Sequence, residues 1–176
     1  MNTVQLKDAI VKAISDTVEY ISKESYWDDL ISFSLYSDED YMSLALLFNT
    51  NAHYQDVKDD EYPLTYKFSP AEWFSETLYD DCFINNNEAF TSISEFLFKE
   101  SSNCKDFSLY KNFIEESCKL AILYCIENNV FRKPENTIYL FMISDGYDEK
   151  EIIRINSRFN SECNNNLLAE WIGSEF

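Results

Sequence analysis

A chain of 176 residues that is 45% hydrophobic and 16% aromatic can bury a sizeable core, and its length sets the expectation of a single domain over residues 1–176. Its 32 acidic residues outnumber the 14 Lys and Arg for a formal net charge of −18, which disfavours nucleic acid and anionic membranes as partners. With 2 Gly, 1 His and no Gly-rich phosphate loop, nucleotide binding and Ser-His-Asp or Cys-His catalysis have little to build on.

Val4, Ile10, Val11, Ile14, Val18 and Ile21 recur at helical spacing between charged residues, predicting an amphipathic helix over 3–23 with Asn2 and Gln5 as a capping pair. "LISFSLY" (30–36) alternates, with Ile31, Phe33 and Leu35 on one face. "YMSLALLFN" (41–49) alternates again through Met42, Leu44, Leu46 and Phe48. With the polar turn "SDED" (37–40) between them, the two read as an antiparallel hairpin. Residues 49–64 predict a short helix plus loop, and "TYKF" (65–68) a third strand.

"YKFSPAEWFSE" (66–76) is the most patterned stretch. Ser69 stands at a helix N-cap, Pro70 at the first helical position, and Glu72 three residues after the cap, which together make a capping box. Phe68 and Trp73 are spaced as a hydrophobic staple around it. The stretch therefore predicts the start of a helix over 70–77.

Further along, Phe90, Ile93 and Leu97 mark a helix near 86–100, and Leu109, Phe113, Ser117, Leu120 and Tyr124 a longer one at 106–129. "TIYLFMI" (137–143) is apolar on both faces, which suits a central strand covered on both sides. Residues 148–159 and 165–172 read as closing helices, with Asp145 and Asp148 placed to cap the first. This order predicts an α+β fold, a mainly antiparallel sheet of about 3–5 strands packed against several helices.

The five cysteines form no CxxC pair, and no secretory leader is read before them. They are expected as reduced core thiols, with Cys118 and Cys125 on one buried helix face. His53 is expected as an exposed or loop-packing residue. The acidic runs 37–40, 56–61 and 144–151 lack the spacing of a Ca²⁺ loop, so no metal or other cofactor is assigned. No catalytic residue emerges. No apolar run reaches the eighteen or more residues that span a bilayer, so a soluble, cytoplasmic protein is expected.

The stretch 30–54 followed by "YKFSPAEWFSE" resembles the bacterial family catalogued as domain of unknown function 4303. The matching positions are Tyr36, Asp38 and Asp40 in the first turn, Asn49 and Thr50 at the end of the second strand, and the run Phe68 to Trp73. Asn51 departs from the acid or Gly that usually follows the Asn-Thr. The resemblance implies an immunity-type protein encoded beside a polymorphic toxin. It supplies no catalytic residue.

Between Asp28 and Asp81 the chain holds 13 acids and only Lys58 and Lys67 as cations, with tyrosines interleaved. Together with the resemblance, this points to a non-enzymatic acidic binding protein that neutralises a toxin domain, for example a basic nuclease, by direct contact. Asp38, Glu39, Asp40, Tyr41, Tyr54, Asp59, Asp60, Glu61 and Tyr62 are its candidate partner-binding residues. The alternatives are a stand-alone regulatory or scaffold domain, or a hydrolase whose carboxylates bind metal.

Overall fold

The computed structural model describes residues 1–59, 61–78, 88–145 and 148–174. Asp60, Tyr79 and Cys82, the spacer at 80–87 and Gly146 therefore lie outside the described residues. Helix α1 (Thr3–Ile21) begins with the expected capping box, in which the Asn2 and Gln5 side chains each accept from the other's backbone N–H. Strands β1 (Leu30–Ser37) and β2 (Ala45–Thr50) pair antiparallel as the alternation predicts. Helices α2 (Asn51–Val57) and α3 (Thr65–Phe68) follow, then α4 (Glu88–Asn103) and α5 (Phe107–Glu127). Strand β3 (Ile138–Ile143) and helices α6 (Glu149–Asn156) and α7 (Glu162–Ser174) complete the chain.

The fold is α+β, and its sheet is mixed, with strand order β2-β1-β3 and β3 parallel to β1. The alternation of β3 divides the core. Tyr139, Phe141 and Ile143 join Phe33, Leu35, Leu46 and Phe48 against α1, α4 and α5. On the other face Ile138, Leu140 and Met142 meet Leu47, Phe68, Trp73 and the α7 residues Leu168, Trp171 and Ile172. Two helical layers thus sandwich the sheet, and the burial of every residue of β3 follows from that.

Four expectations are corrected. First, β3 is buried on both faces but stands at an edge, because the side chains of Asn156 and Asn160 take the place of a further strand. Asn156 Oδ1 accepts from Phe141 N–H at 2.8 Å and its Nδ2 donates to Phe141 O at 3.0 Å. Asn160 does the same to Tyr139 at 2.8 and 2.7 Å. Second, "TYKF" is a turn of helix, since the outer edge of β2 is served by side chains instead. Ser75 Oγ accepts from the outward Phe48 N–H at 3.0 Å, and the β2 residue Asn49 ties the TYKF turn to the strand by donating from Nδ2 to Tyr66 O at 3.2 Å.

Third, "SPAEWFSE" forms two 3₁₀ turns, Pro70–Glu72 and Phe74–Thr77, and Ser69 makes no side-chain cap. Trp73 between them is extended (φ −90°, ψ 160°), and the N–H of Phe74 goes to Asn49 Oδ1 at 3.1 Å. A buried amide has claimed the donor that a continuous helix needs. Fourth, residues 41–44 belong to a loop. Tyr41 has φ 55°, a left-handed conformation that breaks the strand.

Asp38 builds that loop by accepting from Asp40 N–H and Met42 N–H, both at 3.0 Å, and from the Ser43 hydroxyl. Tyr41 is locked from three sides. Its N–H reaches Asp38 O at 3.0 Å, its hydroxyl donates to the buried Glu115 at 2.6 Å, and its carbonyl accepts from Tyr110 at 2.7 Å. Of the thiols, Cys118 and Cys125 are fully buried as expected, whereas Cys104 is half-buried and Cys163 exposed, because neither sits on the buried face of a helix.

These groups make the fold base-labile. Burial raises the pKa of Tyr41, with the Glu115 carboxylate adding to the effect, and burial also raises those of Tyr110 and Cys118. Burial pushes Cys125 and Tyr139 up to about 12. A group whose pKa is raised on folding contributes stability that is complete below its unfolded value and is lost as pH rises through the folded value. We expect a stability plateau up to about pH 9 and cooperative unfolding between roughly pH 9 and 12, read by circular dichroism with tyrosinate absorbance. Titration of every tyrosine near pH 10 with the fold retained would contradict the assigned burial.

The acidic surface as candidate functional site

The acidic segment 28–81 is continuous in sequence but divided in space. Asp29 immediately precedes β1 and Asp38 immediately follows it, which at about 3.3 Å per extended residue places them roughly 30 Å apart. The first cluster gathers around α2. Thr50 caps that helix by accepting from His53 N–H at 3.1 Å, and Asp29 Oδ2 accepts from Ala52 N–H at 2.7 Å. Asp29 and Asp56 then line one open groove of about 590 Å³ with His53 and Phe74. His53, half-buried, sets its Nε2 at 3.0 Å from Glu72 O, so it serves packing.

Asp59 continues this cluster by folding its own loop. Oδ1 accepts from Glu61 N–H at 3.0 Å and Tyr62 N–H at 2.6 Å, and Oδ2 lies 3.3 Å from the Tyr66 hydroxyl. The Asp59 charge holds the Tyr66 phenol above its usual range. Glu61 and Tyr62 are exposed, Tyr62 at 55%. Tyr54 is half-buried, with the Lys58 ammonium 5.4 Å from its ring centre.

The second cluster is the β1–β2 turn, where Glu39 and Asp40 are exposed. Burial opposes ionisation of Asp38, but the bonds from Met42 N–H and the Ser43 hydroxyl outweigh it and hold its carboxyl below the usual range. Tyr41 does not share this surface. It is 2% exposed and its hydroxyl is spent on Glu115, so it positions the turn and offers no contact to a partner. Its alternation with Met42 and Ser43 gave no hint of this, because left-handed backbone reverses the side-chain direction.

Charge pairing was invisible to residue counting. All seven ion pairs among the described residues lie outside the segment 28–78. Lys58 and Lys67, the segment's own cations, rest over the rings of Tyr54 and Phe68. Lys133 approaches Asp28 and Asp29 but lies over the Trp27 ring, 4.0 Å from its centre, and donates to Trp27 O. Among the described residues, the acids around α2 and in the turn therefore form no ion pair, and Lys133 is the cation that approaches them. Among the described residues, no three His, Cys, Asp or Glu side chains converge as a metal site, and no helix is long and apolar enough to cross a membrane.

A family model described as Domain of unknown function (DUF4303) matches residues 6–161. No curated protein and no solved structure matches the chain.

Proposed function

The chain belongs to the family Domain of unknown function (DUF4303), and from that premise we propose that it is a non-enzymatic acidic binding protein, of immunity type, that neutralises a cognate bacterial toxin domain by direct contact. The observation that carries the reading is the absence of ion pairs from 28–78 among the described residues, on a segment with ten described carboxylates. Negative charge left unpaired on a folded surface accelerates encounter with a basic protein and sets its orientation. Glu39 and Asp40 at one end of the hairpin and Glu61 with exposed Tyr62 at the other supply charge and one aromatic anchor. The reading needs no cofactor, and its site of action is the cytoplasm.

The test is stopped-flow association with the purified product of the neighbouring gene. The wild-type rate should fall steeply with ionic strength. Glu39→Lys with Asp40→Lys, or Glu61→Lys, should slow association about tenfold at low salt with little change in melting temperature. Asp59 and Asp38 are avoided because both hold backbone. Absence of a complex, or a rate indifferent to salt and to these reversals, would sink the proposal.

A further inference from the structure

A pocket of about 420 Å³ opens at the carboxyl ends of β1 and β3, lined by Tyr36, Ser37, Asp38, Phe90, Ser94 and Ser144 among others. The two strands run parallel, and Ser144 N–H donates to Ser37 O at 2.9 Å, so both deliver their last residues to one place. Crevices beyond the carboxyl ends of parallel strands are recurrent ligand sites. Helix α4 supplies the facing wall through Phe90, Thr91 and Ser94. Ser94 is fixed there, accepting from Leu44 N–H at 3.1 Å.

Asp38 is the one carboxylate among the described lining residues, and no Lys or Arg lines the pocket with it. None of the seven ion pairs includes it. Residues 79–87 and 146–147 contain no Lys, Arg or His that would supply a counter-ion. The carboxylate is also oriented, accepting from two backbone N–H groups and the Ser43 hydroxyl. The Ser37 hydroxyl, buried in the lining, spends its proton on Ser43 O at 2.6 Å, so its oxygen can act toward a ligand only as an acceptor.

Fixed negative charge, hydroxyl oxygens and one aromatic wall, Phe90, define the complement. An anion would meet Asp38 with no cation to offset it. Among the described lining residues a bare metal ion would find one carboxylate, where hard cations take several. A guanidinium has five N–H donors in a plane, a delocalised charge that is weakly hydrated, and faces that stack on rings. We infer that this pocket binds a guanidinium group, with Asp38 as its counter-ion and Phe90 as its aromatic wall. The inference is independent of the toxin reading, since the group is carried equally by an arginine of a protein partner or by a free small molecule.

The test is NMR titration of the ¹⁵N-labelled full chain with Nα-acetyl-arginine methylamide, free arginine and Nα-acetyl-citrulline methylamide. Both guanidinium compounds should give saturable shifts confined to Ser37, Asp38, Ser43, Ser94 and Ser144, with Kd on the order of millimolar. Citrulline, the neutral analogue, should bind at least tenfold more weakly. Tighter binding of free arginine would assign the source to a small molecule, and equal or better binding of the blocked form to a protein side chain. Asp38→Asn should abolish the shifts. Because Asp38 also shapes its loop, Thr91→Trp, an exposed α4 residue at the pocket, is the second variant and should block binding without touching those hydrogen bonds. Equal binding of citrulline, no localised shift, or unchanged binding by Thr91→Trp would overturn the inference. A basic partner that binds Thr91→Trp as tightly as wild type, with no arginine shift in either protein, would overturn the pocket and leave the acidic-surface reading standing.

Discussion

Replacing Trp73 by alanine is expected to lower the unfolding free energy by about 3–5 kcal/mol, a large fraction of what a domain of this size has. Trp73 is fully buried and packs in the cluster of Leu47, Phe68, Ile138, Leu140 and Met142. On that face β1 presents Ser32 and Ser34, two small side chains, so the indole fills space that no strand residue reaches. Collapse around the cavity is limited, because the segment carrying Trp73 is pinned to β2 through Asn49 and Ser75. The indole N–H has no hydrogen-bond partner among the described residues. Trp73→Phe removes that buried donor along with some volume, and should therefore cost only about 1–2 kcal/mol. Urea unfolding of the two variants checks both magnitudes, and a loss below about 1 kcal/mol for alanine would mean that the segment is not anchored through this ring.

The same segment shows where local pattern ceases to determine structure. Ser69, Pro70, Glu72, Phe68 and Trp73 satisfy every positional rule for a helix start, and both aromatic residues are buried as a staple requires. The helix fails because Asn49, remote in sequence, takes the Phe74 N–H, and no helical periodicity records such a bond. The hairpin and the long helices were legible because each rests on a repeating apolar period, and the burial of 138–143 because that run is apolar without interruption. Sheet order was not, because the groups that finish both edges are Ser and Asn side chains with the look of loop residues. For the candidate site, the acidic count was legible while its pairing was not. Lys12 pairs with Asp16 and Lys119 with Glu116, while none of the described acids near α2 or in the turn is in an ion pair. Contiguity also misled, since the β1 strand carries Asp29 and Asp38 to opposite ends of the hairpin.

Asn156→Leu, a near-isosteric change, is expected to cost about 3 kcal/mol and to drive association of the chain. Asn156 is 0% exposed, and its amide is fully used, by Phe141 N–H, Phe141 O and Ile152 O at 2.8, 3.0 and 2.9 Å. Leucine fills the volume but leaves a buried donor and acceptor of β3 unpaired, each worth about 1–3 kcal/mol. Asn156 closes α6 and Asn160 stands at the end of the turn that follows it, and that turn brings the two amides to Phe141 and Tyr139, residues two apart on the same edge of β3. Each side-chain amide offers one acceptor and one donor, as a neighbouring strand's peptide would. Asn160 is only half-buried, so water replaces part of what Asn160→Ala removes, and about 1 kcal/mol is expected there. With both asparagines gone, β3 becomes an exposed apolar edge, a template for pairing with a second chain. Size-exclusion chromatography with urea unfolding separates the two consequences. Lost stability in a monomer would mean that α6 still shields the edge sterically. Wild-type stability in Asn156→Leu would mean that these amide bonds do not finish the sheet.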